Sequence, residues 1–249
     1  MTTINAFIIS TLAGMSTLLG SIVIFYNIKR SKINKFISVC LSFSISIMIG
    51  ISITDLIPTS FFHIILNYNV LKGITIALLS FMLGIFGVLI INKLMNNNSD
   101  SLYKLGILSM LALMLHNFPE GIATFIGSVK DVNLGLKLSL AIMLHNIPEG
   151  ISIAVPIYYA TKSKKKAIFN TFLSGLAEPL GAFLAFIFLK KYVTDLMISI
   201  VLLFVAGIMI TLAIHEMLPK TLKYKEIKYI YIGLFMGIAL ILVNHFVFW

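Results

Sequence analysis

Cysteine is nearly absent from this 249-residue chain: a single thiol, Cys40, lies inside an apolar run. That excludes a disulfide framework and any thiolate metal cluster, and Cys40 reads as a small buried hydrophobe. Charge is scarce as well. Asp, Glu, Lys and Arg make up 11% of the residues and hydrophobic types 59%, far from the usage of water-soluble domains, so lipid must be the solvent for most of the chain. Acidic residues are the rarer sign, nine against nineteen Lys and Arg. The net charge of +10 does not point to nucleic acid, because the lysines fall in short clusters between apolar runs and form no basic domain with interleaved aromatics. The N-terminal MTTINAFIIS lacks a basic leader and runs into an apolar stretch too long for a cleaved signal peptide, so it reads as the first membrane helix.

What the chain does have is long apolar segments. Eight are long enough to span a bilayer, at about 6–28, 36–57, 72–92, 105–127, 134–159, 167–189, 195–217 and 228–248. Fourteen of the nineteen Lys and Arg follow spans one, three, five and seven, and the other five, Lys72, Lys130, Lys137, Lys190 and Lys191, lie on the opposite side. The positive-inside rule then puts both termini of a multi-pass cell-membrane protein outside the cytoplasm. The expected class is an all-α polytopic membrane protein with eight transmembrane helices.

An internal repeat organises these spans. LAGMSTLLGSIV from Leu12 aligns with LSGLAEPLGAFL from Leu173 at an offset of 161, and the same offset aligns FSISIMIGISITDLIP from Phe43 with FVAGIMITLAIHEMLP from Phe204. Gly14 meets Gly175, Gly20 meets Gly181, Met48 meets Met209 and Pro58 meets Pro219. Five helices separate the starts of the two copies, so they enter the membrane from opposite sides. That is an inverted repeat of spans 1–3 and 6–8, an architecture whose substrate site lies near the midplane. The chain is expected to be one transporter domain, 1–249, built from a first repeat at 1–95, a central helix pair at 104–160 and a second repeat at 167–249.

The central pair carries HNFPEG from His116 and HNIPEG from His145. Glu120, Glu149 and Glu178 fall near the middles of spans four, five and six, where an ionised carboxylate costs roughly 3 kcal/mol even on a lenient insertion scale. No Lys or Arg lies at mid-span to pair with them, so the partner is a bound cation or protons. Helical spacing favours a cation. His116 and Asn117 stand four and three residues before Glu120, placing imidazole, amide and carboxylate on one face, and His145, Asn146 and Glu149 repeat the pattern. Pro119 and Pro148 remove backbone donors and should loosen both helices beside these groups. Nitrogen and oxygen donors without thiolate suit Zn²⁺, Fe²⁺ or Mn²⁺ rather than Cu⁺. Glu178, followed by Pro179, reads as a third carboxylate facing the same site. Asp55 ends span two on the outer side, and His215 and Glu216 end span seven on the cytoplasmic side, as interface anchors or as pathway residues.

HNFPEGIAT, HNIPEG, SGLAEPLGA and HEMLP together resemble the ZIP (Zrt/Irt-like) metal transporters, most closely their bacterial ZupT-type zinc transporters, over nearly the whole chain. The resemblance implies eight helices in a 3+2+3 arrangement and uptake of divalent metal, Zn²⁺ foremost, into the cytoplasm. It implies a binuclear centre, with one site on His116, Glu120, His145 and Glu149 and a neighbouring one on Asn117, Glu120, Asn146, Glu149 and Glu178. It also implies that Met48 lines the pathway. The metal is then transported substrate, and no catalytic cofactor is expected. The partners are metal ions and lipid, with a homodimer left open. The chain departs from many relatives in having NNNSDS, from Asn96 to Ser101, where they carry a histidine-rich loop. Two rivals have different chemistry. An intramembrane metalloprotease would need HExxH, but after His215 and Glu216 the second histidine's place is taken by Pro219. A proton-coupled carrier of an organic substrate would use the same carboxylates with no metal bound.

Overall fold

The computed structural model describes residues 3–95, 102–130, 132–189 and 194–248, and among them there is no strand. Eight helices are long and apolar enough to cross a membrane: α1 Thr3–Phe25, α2 Arg30–Asn67, α3 Val70–Leu94, α4 Leu102–Val129, α5 Gly135–Thr161, α6 Lys164–Ile187, α7 Asp195–Leu222 and α8 Ile227–Asn244. Their starts follow local chemistry. The Asn69 side chain accepts from the Lys72 amide at 2.9 Å, Ser163 from Lys166 at 3.3 Å and Thr194 from Met197 at 3.2 Å, so three helices open on a side-chain cap.

Among the described residues four of the helices depart from regular α geometry: α1 is 3₁₀-helical over Ser16–Phe25 and α6 π-helical over Ala185–Leu189, while α2 and α7 depart at matching places. The chain is π-helical at Ser52–Leu56 in α2 and at Leu212–Met217 in α7, in each case just before a proline, Pro58 or Pro219. Proline offers no N–H to the carbonyl four residues back, and widening the preceding turn accommodates the missing bond. Pro58 therefore does not end its span. A fresh α-helical stretch begins at Ile57 and carries α2 to Asn67, ten residues beyond its expected end. Pro119 and Pro148, where loosening was expected, lie inside uninterrupted α-helices, Leu102–Lys130 and Val132–Thr161. The backbones of Glu178 and Thr17 press on Gly121 and Gly150, two residues after those prolines, and clamp each helix there.

Helix pairings come in matched sets. α2 packs along α8 and α3 along α7, while α4 packs along α6 and the second half of α1 along α5. The outer members are α3 and α8, with 22% and 17% of their apolar windows buried against 67% for α2 and α5. Leu79, Leu83 and Phe86 on α3 and Tyr231 and Phe235 on α8 are left exposed, as lipid-facing side chains should be. Tight approach between inner helices depends on glycine: a Cβ at Gly20 would strike the α5 backbone at Ile147, and one at Gly181 would strike the α4 backbone at Phe118.

Candidate metal centre

α4 and α5 cross so that their two motifs face each other. His116 and Glu120 lie one turn apart on α4, and their Nε2 and Oε2 atoms are 3.3 Å apart. His116 Nε2 also lies 3.4 Å from Glu149 Oε1, and His145 Nε2 lies 3.0 Å from Glu120 Oε1. Ligand atoms of His116, Glu120 and His145 all lie within 4.8 Å of one another. His116, Glu149 and Glu178 are fully buried, and Glu120 and His145 nearly so.

These groups lie close together but are only sparsely hydrogen-bonded to one another. Only the His145–Glu120 contact among them has hydrogen-bond geometry. Both ring nitrogens of His116, both carboxylate oxygens of Glu149 and Oε1 of Glu178 have no hydrogen-bond partner. Buried ionisable groups left this way are costly, and no Lys or Arg among the described residues pairs with them. The two asparagines are held through their amide nitrogens. Asn117 Nδ2 donates to the Ser174 carbonyl at 3.2 Å; Asn146 Nδ2 donates to the Ala13 carbonyl and to Glu178 Oε2, both at 3.0 Å. With their amide nitrogens engaged, Oδ1 of each is left without a donor inside the protein. Hydrogen bonds of this kind fix ligand orientation in metal sites. The result is a buried group of imidazole nitrogens, carboxylates and amide oxygens, donors that suit a borderline divalent cation.

The family model described as ZIP Zinc transporter matches residues 98–245. The zinc transporter ZupT of Lysinibacillus sphaericus (strain C3-41) is 38% identical over 259 residues, covering 96% of each chain. ZupT of Clostridium perfringens (strain 13 / Type A) is 35% identical, over 98% of this chain and 95% of the relative, and ZupT of Chlorobium phaeovibrioides (strain DSM 265 / 1930) is 40% identical over 94% of each. The chain belongs to the ZIP zinc transporter family. It is thus a multi-pass membrane transporter and not an enzyme, and the protease rival falls.

In this ZIP chain a cavity of about 330 Å³ leads from Asp55 to the centre, with Thr59, Thr124, Glu120, His145 and Asn244 on its walls. Asp55 is therefore joined to the centre by open space. Met48 is fully buried in the main apolar core, and its counterpart Met209 packs there too, with its sulfur 3.8 Å from the Ser52 hydroxyl. Met48 does not line the cavity. Glu216 sits apart from the centre and is engaged: Lys220 Nζ is 2.9 Å from Oε2, and Asn92 of α3 donates to Oε1. Lys104 Nζ on α4 reaches the Asn92 carbonyl at 3.1 Å, so α3, α4 and α7 meet there. His215 touches Glu216 at 3.3 Å with its ring mostly exposed. The sequence reading overlooked Asn92, Lys220 and Thr17. For Asn92 no local pattern existed, but Lys220 stands four residues after Glu216 on one helical face, and the 161-residue offset already set Thr17 opposite Glu178.

Proposed function

We propose that this protein carries Zn²⁺ into the cytoplasm through a binuclear site on α4, α5 and α6, with Fe²⁺ and Mn²⁺ as further substrates. The observation carrying this reading is the set of fully buried atoms without a hydrogen-bond partner on His116, Glu149 and Glu178, grouped with Glu120 and His145, which themselves line the Asp55 cavity. A divalent ion supplies the partner these atoms lack. The names of the ZupT relatives support zinc as the principal cargo.

The first site takes His116, His145, Glu120 and Glu149, and the second takes Asn117, Asn146 and Glu178, with Glu120 and Glu149 bridging. Three carboxylates offset most of the charge of two divalent ions. The ion enters the cavity past Asp55, exchanges water for these donors and leaves towards Glu216, once the contacts joining Glu216 to Asn92 and Lys220 part. The lysine-rich ends of the helices face the cytoplasm of the cell membrane, so the cavity opens to the outside. Met48 helps hold α2 beside the centre without binding metal.

The architecture follows the same reading: a single domain in a 3+2+3 arrangement, with α1–α3 and α6–α8 as inverted copies around α4 and α5. Supporting it, the pairings α2 with α8 and α3 with α7 exchange under the repeat, as do α1 with α5 and α4 with α6. Two such copies are suited to a rocking motion that exposes a fixed site to either side in turn.

The test is uptake of radioactive Zn²⁺ into proteoliposomes, with a folded Glu120→Ala and Glu149→Ala double variant alongside. Saturable uptake by the wild type alone is expected. No wild-type uptake of Zn²⁺, Fe²⁺ or Mn²⁺ under any ion or proton gradient would sink the metal reading and favour a proton-coupled carrier of an organic substrate.

A further inference from the structure

Thr17 of α1 occupies the position that Glu178 holds in α6, and the backbone contacts around the two residues correspond. A Cβ at Gly121, next to Glu120, would strike the Glu178 carbonyl oxygen; a Cβ at Gly150, next to Glu149, would strike that of Thr17. Asn146 donates to the Ala13 carbonyl, four residues before Thr17, and Asn117 donates to the Ser174 carbonyl, four residues before Glu178. A Cβ at Gly175, beside Ser174, would lie 3.3 Å from Thr17 Cβ. Thr17 therefore meets the Asn117 and Glu149 side of the centre as Glu178 meets its Asn146 and Glu120 side.

The hydroxyl of Thr17 behaves unlike other helical threonines. Thr11, Thr124, Thr171 and Thr211 each donate to the carbonyl four residues back, at 2.7–2.9 Å. Thr17 is fully buried, yet its Oγ1 has no hydrogen-bond partner. Its i−4 carbonyl, that of Ala13, is taken by Asn146 and by the Ser16 hydroxyl at 2.6 Å, and the chain is already 3₁₀-helical from Ser16. On the Glu178 side the equivalent space is filled by a carboxylate hydrogen-bonded to Asn146. On the Thr17 side, Thr17 Oγ1 and Asn117 Oδ1 are both unpartnered.

We infer that Thr17 completes the second metal site from the first repeat, its hydroxyl and the Asn117 oxygen together holding a water molecule that binds the ion. The threonine hydroxyl is two bonds closer to the backbone than a glutamate oxygen, so one water spans the difference. A buried water needs two to four polar partners, and the hydroxyl, the amide oxygen and the ion supply three. The choice of residue also sets charge. Glu120, Glu149 and Glu178 leave two divalent ions short of neutral by one charge, where a carboxylate at position 17 would neutralise them. Thr17 thereby keeps the second ion loosely held, as release demands. This inference rests on the binuclear reading above.

The test is Zn²⁺ titration by calorimetry of the full-length protein in detergent, paired with initial rates of uptake into proteoliposomes. The expected results are two ions for the wild type, a second ion weakened about tenfold by the isosteric Thr17→Val with the first unchanged, and restoration to within about twofold by Thr17→Ser, in line with the 10–100-fold usual for groups that support metal ligands. Thr17→Asp is expected to tighten the second ion and slow transport, and it decides the matter if the valine variant does not fold. A Thr17→Val protein that titrates like a wild type binding two ions, or a serine variant as defective as the valine one, would overturn the role of Thr17 and leave the transport reading intact. A wild type that binds no Zn²⁺ would overturn both.

Discussion

Gly14 and Gly175, equivalent residues of the two sequence copies, face each other across the α1–α6 contact: a Cβ on Gly14 would lie 2.7 Å from the Gly175 carbonyl oxygen, and one on Gly175 would lie 2.6 Å from that of Gly14. Backbone cannot yield here as a flexible side chain would. Gly14→Ala and Gly175→Ala are each expected to destabilise the protein by about 1–3 kcal/mol and to weaken Zn²⁺ binding, since α1 and α6 carry Thr17 and Glu178. Gly87, with open space around its Cβ position, is the control. Gly87→Ala should leave the protein unchanged or slightly more stable. Thermal unfolding in detergent distinguishes the two sites.

Glu120 contacts both imidazoles of the centre, through Oε2 to His116 and Oε1 to His145. Glu120→Gln keeps the shape but loses the charge and one oxygen donor. Zn²⁺ at a hundred times its dissociation constant should stabilise the wild type by about 2.7 kcal/mol, and the variant should show little or none of this. A melting-temperature shift of equal size in both proteins would count against Glu120 as a ligand.

The Glu216–Lys220 pair is largely buried, with Asn92 as a third member from another helix. Removing one partner strands the other, so Lys220→Met is expected to cost about 3 kcal/mol. The double variant Lys220→Met with Glu216→Gln should cost less than the sum of the two single changes, with a coupling energy of about 1–3 kcal/mol. A double-mutant cycle read by thermal unfolding checks this, and additivity would mean the contact does not persist in the membrane.

Asp55 lines the cavity and Met48, two turns earlier on the same helix, does not. In a Cys40→Ala background, Asp55→Cys should react with a membrane-impermeant maleimide added outside intact cells, while Met48→Cys should stay unmodified. Mass spectrometry reads the outcome. Labelling of Asp55→Cys only from the cytoplasmic side would reverse the proposed orientation.

The centre was legible because its chemistry is local in sequence. His116 with Glu120, and His145 with Glu149, are spaced for one helical face, so a helix of any tertiary setting aligns them, and apolar length alone marked the eight spans. The prolines misled for a related reason. A proline removes the same hydrogen bond at position 58, 119, 148 or 219, but whether the helix widens depends on what presses against it, and the backbones clamping Gly121 and Gly150 belong to other helices.

Sequence by itself determined the solvent, the number of crossings and the paired His–Glu motifs, since each depends on composition or on spacing within one helix. Only the tertiary structure decided that His116 reaches Glu149 and His145 reaches Glu120, that Asn92 of another helix reaches Glu216, that Met48 packs in the core, and that Thr17 stands with an unpartnered hydroxyl across from Glu178. These depend on which helices approach closely and at what height. In a membrane that is set by glycine-to-backbone contact and buried hydrogen bonds between distant segments, which no single helix encodes.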